Sequence, residues 1–216
     1  GKKKIGKNYP VYFIAEIGVN HCGNIDLAKK MIIAAKKSGA DAVKFQTFST
    51  QSFVSPKTPK AKYQKINTSS KESHYEMIKS LELTKGQHKI LINFCKKHKI
   101  NFLSTPYDIN SAKFLNEMRC EVFKTASADI VDLQLHSYLA STGKTVIIST
   151  GMSNIDEIKD CIKVYKKYSN TKFILLHCVS NYPCSNRSVN MRALSKIAST
   201  FKCLVGYSDH SVGNDA

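Results

Sequence analysis

Seven short runs of apolar and β-branched residues recur along this chain, each separated from the next by segments of helical periodicity. No other feature restricts the fold as much. The runs cover residues 12–17, 42–46, 101–105, 122–125, 145–149, 173–178 and 203–207. Their nearly continuous apolarity predicts strands buried on both faces, the habit of parallel sheets. In "NIDLAKKMIIAAKKSGAD", Leu27, Ala28, Met31, Ile32 and Ala35 make one apolar stripe. Asn24 is placed to cap that helix and Gly39 to end it. In "SNIDEIKDCIKVYKKY" the stripe is Ile155, Ile158, Ile162 and Tyr165, and either Ser153 with Asp156 or Asn154 with Glu157 offers a capping pair. Most strand starts lie roughly twenty to thirty residues apart, the length of one strand–helix unit. An open doubly wound sheet and a (β/α)8 barrel share this pattern. No Gly-x-Gly-x-x-Gly follows any run, which disfavours the dinucleotide-binding open sheet. The expected fold is therefore α/β, a TIM (β/α)8 barrel truncated after about seven strands.

Composition removes several function classes. With 216 residues the chain is long enough for one sizeable core, and 42% apolar with 23% charged residues is a globular balance rather than a disordered one. No apolar run approaches a membrane span. The basic start, "GKKKIGKNYP", lacks a following signal-peptide core, because Glu16 interrupts "VYFIAEIG". Seven cysteines without a Cys-x-x-Cys pair support neither a disulfide framework nor structural zinc, so reduced thiols in a cytoplasmic protein are expected. A formal charge of +17 raises nucleic-acid binding. The lysines, however, fall mostly at solvent-facing helix positions and far outnumber arginines, and no zinc-finger, RNA-recognition or helix-turn-helix signature is present. A Lys-biased surface is the better account, and an anionic substrate can use part of the same field.

Polar residues recur where the runs finish: Glu16, Asn20 and His21; Lys44 and Gln46; Ser104 and Thr105; Lys124 and Ser127; Ser149 and Thr150; His177 and Ser180; Ser208, Asp209 and His210. A single serine or threonine there is usually a helix cap. A lysine inside an apolar strand is different, because Lys44 in "AVKFQ" and Lys124 in "VFKTA" lose hydration on burial unless each meets an anion. On strands of one barrel they can converge on a phosphate or carboxylate, with hydroxyls completing its shell. His21 and His177 read as core or supporting residues. His210 is the stronger candidate for a ligand, although a metal needs further ligands. The polar, basic stretch 49–73 is too long for an ordinary connection and reads as a candidate lid.

These residues also carry a resemblance. "IAEIGVNHCGNIDLAKKMI", "GADAVKFQTF", "FLSTPYD", "TVIISTGM", "LLHCVSNYP" and "VGYSDHS" follow one another as in the sialic acid synthase family, which includes N-acetylneuraminate, legionaminate and pseudaminate synthases. "PKAKYQKINTSSKESHYEMIKSLELT" resembles its bacterial members. The resemblance implies a TIM barrel, here residues 1–216, followed by an antifreeze-like domain. It implies condensation of phosphoenolpyruvate with an N-acylated amino sugar such as N-acetylmannosamine, using Mn2+ or another divalent metal such as Mg2+, in a cytoplasmic homodimer that binds neither nucleic acid nor membrane. Legionaminate or pseudaminate synthesis is the alternative within the family, and an inactive barrel binding phosphorylated ligands or nucleic acid the alternative outside it. By motif matching, phosphate would meet Lys44, Thr105, Lys124, Ser127, Ser149 and Ser208, with Ser180 where some members carry asparagine. Glu16, Gln46, Tyr182 and Asn67 would lie near the reacting carbons or the sugar. His210 matches one of two metal-binding histidines, the second of which sits on an eighth strand beyond Ala216. The resemblance therefore implies half a metal site in this stretch. "KTASAD" stands where many relatives resemble "KIGSGE", so Asp129 would carry the water-activating carboxylate on a shorter arm.

Overall fold

The computed structural model describes residues 3–60, 64 and 72–213. The chain divides into two compact units, Val11–Met118 and a second made of Gly1–Pro10 with Arg119–Ala216.

In Val11–Met118, three parallel strands run side by side: β1 (Ile14–Gly18), β2 (Ala42–Thr47) and β3 (Asn101–Pro106). Strand β1 starts two residues later than its apolarity predicts. The Phe13 side chain is 66% exposed, and its N–H donates to the Asp41 carboxylate at 2.9 Å instead of to a strand. The β1 ladder is irregular between Glu16 and Gly18, and Gly18 adopts φ 55°, a conformation that favours glycine. Asn24 caps the helix Ile25–Lys37 by accepting from the N–H groups of Asp26 and Leu27, and Gly39 follows its end at φ 87°. The buried stripe is narrower than its periodicity suggests, because Leu27 stays 38% exposed while Ala28 and Ile32 are fully covered. Helices His74–Leu81 and Lys85–Lys97 each open on a capping box, Ser73 with Glu76 and Thr84 with Gln87.

Ile17, Ala28, Ile32, Val43, Phe45, Leu83, Leu91, Cys95 and Ile100 form the core of this unit. Leu91 has no solvent exposure. Leu91→Ala is expected to cost about 2–5 kcal/mol, lost transfer energy plus a cavity. Urea unfolding measures it, and a loss under about 1 kcal/mol would mean that the core closes over the gap. Several buried polar groups pair with one another, although His21 Nε2 is buried with no hydrogen-bond partner in the described structure. His88 Nδ1 donates to the Thr84 carbonyl at 3.0 Å, which leaves Nε2 to accept from the Thr47 hydroxyl at 2.8 Å. Thr47 in turn sits 2.7 Å from Ser104, and burial lowers the His88 pKa, so the imidazole is neutral.

In the second unit, β4 (Val122–Thr125), β5 (Thr145–Ser149), β6 (Phe173–Cys178) and β7 (Leu204–Ser208) pair in that order, all parallel. A 3-10 turn, Ser127–Val131, follows β4, and helices Leu133–Ser141, Ile155–Lys166 and Arg192–Phe201 follow in sequence. Of the two capping pairs open to the helix Ile155–Lys166, Asn154 with Glu157 forms. That helix buries Ile158, Cys161, Ile162, Val164 and Tyr165, whereas Ile155 at its first position is 36% exposed. Tyr165 lies against the neighbouring helix, its hydroxyl 2.7 Å from His136 Nδ1.

All seven cysteines are free thiols. Among the described residues, no helix is long and apolar enough to cross a membrane. Within the stretch 49–73, Thr50–Phe53 forms a short helix whose first N–H and hydroxyl both donate to Glu82, and Lys60 pairs with Glu72 at 3.2 Å. Ten residues of the expected lid, 61–63 and 65–71 with Asn67 among them, lie outside the described residues.

Candidate active site

Parallel strands place their C-terminal ends on one side of a sheet, so strand-end side chains gather there. Each unit holds such a cluster. In Val11–Met118 it is built on Lys44 of β2. The ammonium lies 2.5 Å from Glu16 Oε2 on β1 and donates to Thr105 Oγ1 on β3 at 3.1 Å. Glu16 and Lys44 are register partners across β1 and β2, which is why the two side chains meet. The anion that compensates Lys44 is therefore an internal carboxylate. The Lys44 side chain is 12% exposed and that of Glu16 is 48% exposed, so the pair opens to solvent through its acid. Gln46 flanks it, with Gly18 between the two side chains: a Cβ at Gly18 would lie 3.0 Å from Glu16 Oε1 and 3.6 Å from Gln46 Nε2.

In the second unit the cluster starts from Lys124 of β4, which is 5% exposed. Its ammonium donates to the Thr125 carbonyl at 2.7 Å and to Ser149 Oγ on β5 at 2.5 Å. Ser127 opens the turn after β4 and accepts the Gly151 N–H at 3.1 Å, while its Oγ lies 3.0 Å from the Cys178 thiol at the end of β6. Ser180 Oγ is buried with no hydrogen-bond partner in the described structure. Gly151 makes this convergence possible. A Cβ there would stand 2.5 Å from Ser180 Oγ, 2.7 Å from Ser127 Oγ and 2.8 Å from Cys178 Sγ. Gly151 and Cys178 escaped the sequence reading. Neither "STGM" nor "LLHCVSNYP" singles them out, because their roles rest on contacts between segments distant in sequence.

Asp129 sits in the same turn and accepts the Ala126 N–H at 2.9 Å. Burial raises its carboxyl to a pKa of about 6, against the opposing Ala126 bond and the Lys124 charge, with Asp132 adding to the rise. Such a group changes charge within reach of neutral pH. Ser208 closes β7 and is register partner to Cys178. Asp209 turns away into its own loop, accepting from the Tyr207 hydroxyl at 3.1 Å and the Ser211 N–H at 2.8 Å. His210 Nδ1 lies 2.7 Å from the Val179 carbonyl, and its ring is 4.2 Å from that of Tyr182. A carbonyl only accepts, so Nδ1 carries the proton and Nε2 keeps its lone pair, the tautomer that a metal ligand needs. Among the described residues, no group of three His, Cys, Asp or Glu side chains stands ready for a metal. These residues fit one ligand of a divalent site. His21 is a fully buried core residue whose Nδ1 accepts the Gly23 N–H, and His177 is tied to the Val189 carbonyl.

Parallel β/α repeats with lysines, hydroxyls and carboxylates at their strand ends define an α/β protein of the TIM-barrel class. The chain belongs to the NeuB family, whose model matches residues 31–216. It is 41% identical over 217 residues to an N,N'-diacetyllegionaminic acid synthase of Legionella pneumophila, covering 99% of this chain and 61% of that protein. To the N,N'-diacetyllegionaminic acid synthase of Campylobacter jejuni it is 44% identical over 202 residues, 93% of this chain and 60% of the other. Among solved structures, the N-acetylneuraminic acid (sialic acid) synthetase of Leptospira borgpetersenii in complex with citrate matches 100% of this chain and 70% of its own. The TM-score is 0.86 at 35% identity. The chain spans about three-fifths of the length of these curated relatives.

Proposed function

We propose that the protein condenses phosphoenolpyruvate with an N-acylated amino sugar, giving a sialic-acid-type sugar acid and inorganic phosphate. One observation carries this reading. In a NeuB-family chain, buried Lys124 is joined by Ser149, Ser127 and an unpartnered Ser180 on neighbouring strand ends, a cationic and hydroxyl-rich cradle suited to phosphate.

In this reaction the methylene carbon of phosphoenolpyruvate forms a bond to the aldehyde carbon of the sugar. Positive charge develops at the enol carbon, water adds there, and the bond to the phosphate oxygen breaks. Lys124 and the three serines hold the phosphate and favour its departure by stabilising its charge. Lys44, Glu16 and Thr105 are proposed to serve the same condensation, with Gln46, Tyr182 and Ser208 as further substrate contacts. A divalent metal such as Mn2+, held through His210 Nε2, would polarise the aldehyde. Asp129 is the candidate for deprotonating or orienting the water. As acceptor, the N-acetylmannosamine expected from the motifs competes with the diacetylated sugar of legionaminate synthesis. Identities of 41% and 44% to two legionaminic acid synthases favour the latter.

Phosphate release from phosphoenolpyruvate with Mn2+ and each sugar in turn tests the reading. Release with neither sugar, from folded protein, would refute it. An ionised Asp129 predicts in addition an acid limb in kcat, centred near its pKa of about 6 and falling tenfold per unit below it. The direction follows from the raised pKa, since the carboxylate needed as base is protonated below that value. Asp129→Asn should abolish the limb and leave a low, flat profile. An unchanged limb in that variant would assign it to another group.

A further inference from the structure

We propose that Cys178 is a positioning residue for Ser127, and that its thiol proton turns the Ser127 hydroxyl outward as a donor to the bound anion. The inference rests on the phosphate-cradle reading above. Ser127 Oγ has one proton and two lone pairs. One lone pair is occupied by the Gly151 N–H at 3.1 Å. The Cys178 sulfur, 3.0 Å away, fixes what remains. If Ser127 donates to sulfur, its proton is spent and only a lone pair is left to face a ligand, which an anion repels. If Cys178 donates to Ser127, both lone pairs are engaged and the hydroxyl proton must point away from Gly151 and Cys178. The second arrangement offers an anion a charge-assisted hydrogen bond, stronger than the O–H to thiol contact given up.

The surroundings hold the thiol for this role. Cys178 is 5% exposed and ends β6, in register with Ser208 of β7. The next carbonyl, that of Val179, accepts a hydrogen bond from His210 Nδ1 at 2.7 Å, so the chain is anchored immediately beyond the thiol. The thiol is buried, and its hydrogen-bonding contact is the Ser127 hydroxyl. A Cβ at Gly151 would stand 2.7 Å from Ser127 Oγ and 2.8 Å from Cys178 Sγ, so only a glycine there leaves the two groups undisturbed in contact. The condensation needs no thiol nucleophile, and Cys178 forms no covalent bond here. It sets the direction of a neighbour's proton.

The test compares wild type, Cys178→Ala, Cys178→Ser, Ser127→Ala and the Ser127→Ala/Cys178→Ala pair by steady-state phosphate release. Cys178→Ala should raise KM for phosphoenolpyruvate about five- to tenfold, the weight of one hydrogen bond, with kcat and the sugar KM nearly unchanged. Cys178→Ser, which keeps a hydroxyl donor, should restore KM to within about twofold of wild type. In the Ser127→Ala background, removing the thiol should add nothing, because the group it orients is gone. A Cys178→Ser protein as impaired as Cys178→Ala, or a full cost of Cys178→Ala without Ser127, would show that the thiol only packs and would overturn the proposal. Calorimetric titration of the same proteins with inorganic phosphate separates this outcome from a failed functional reading. If wild type turns over no phosphoenolpyruvate yet binds phosphate, and Cys178→Ala alone among the Cys178 variants binds it more weakly, the positioning role stands. Equal phosphate affinities in wild type and Cys178→Ala, or no phosphate binding by wild type, overturn it.

Discussion

Replacing Gly151 by alanine is expected to lower kcat/KM for phosphoenolpyruvate by about a hundredfold or more, as befits the loss of more than one anion contact. The added methyl carbon would stand 2.5 Å from Ser180 Oγ, 2.7 Å from Ser127 Oγ and 2.8 Å from Cys178 Sγ. All three distances are far inside van der Waals contact. No single side-chain rotation relieves them, because three side chains crowd the position at once, Ser127 from the turn after β4 and Cys178 and Ser180 from the end of β6. Ser127 would also lose its alignment with the Gly151 N–H. The energetic cost to the fold is smaller, about 1–3 kcal/mol for an overpacked site, so circular dichroism should show a folded protein of reduced urea midpoint. Folded protein that retains more than a tenth of wild-type kcat/KM would mean that Ser127 and Ser180 are not part of the phosphate cradle.

Lys124→Ala is the second large effect. Burial to 5% exposure makes each interaction of this ammonium stronger than it would be at the surface. A charge-assisted contact to phosphate is worth about 1.5–3 kcal/mol, so phosphoenolpyruvate affinity should fall at least tenfold. Lys166→Ala is the control, an exposed lysine at the end of the helix Ile155–Lys166, and it should leave kinetics unchanged. Comparable small losses at both positions would remove Lys124 from the site.

Much of the fold was legible because it is written locally. The alternation of strand runs and amphipathic helices reports how each segment divides its side chains between water and core, and all seven strands formed where the runs lie, within two residues. Caps are local too. Asn24 sits beside the N–H groups it accepts from, and Asn154 with Glu157 spans a single turn. Candidate site residues such as Lys44, Thr105, Lys124 and Ser149 could be named because buried cations and strand-end hydroxyls stand out against apolar runs.

Tertiary structure decided what those residues meet. Lys44 finds its compensating charge in Glu16 through the β1–β2 register, and no spacing along the chain specifies a register. Leu27 and Ile155 belong to apolar stripes yet stay partly exposed, since only packing fixes how wide a stripe is covered. Ser127 and Cys178 touch across 51 residues, and His210 has its tautomer set by a carbonyl 31 residues away. Gly151 counts because three side chains crowd its missing Cβ, a fact invisible in "STGM". Sequence pattern records each residue's preference for water or core, which is a property of the residue and its near neighbours. Contacts across many residues depend on register and loop conformation, and those are settled only when the whole chain packs.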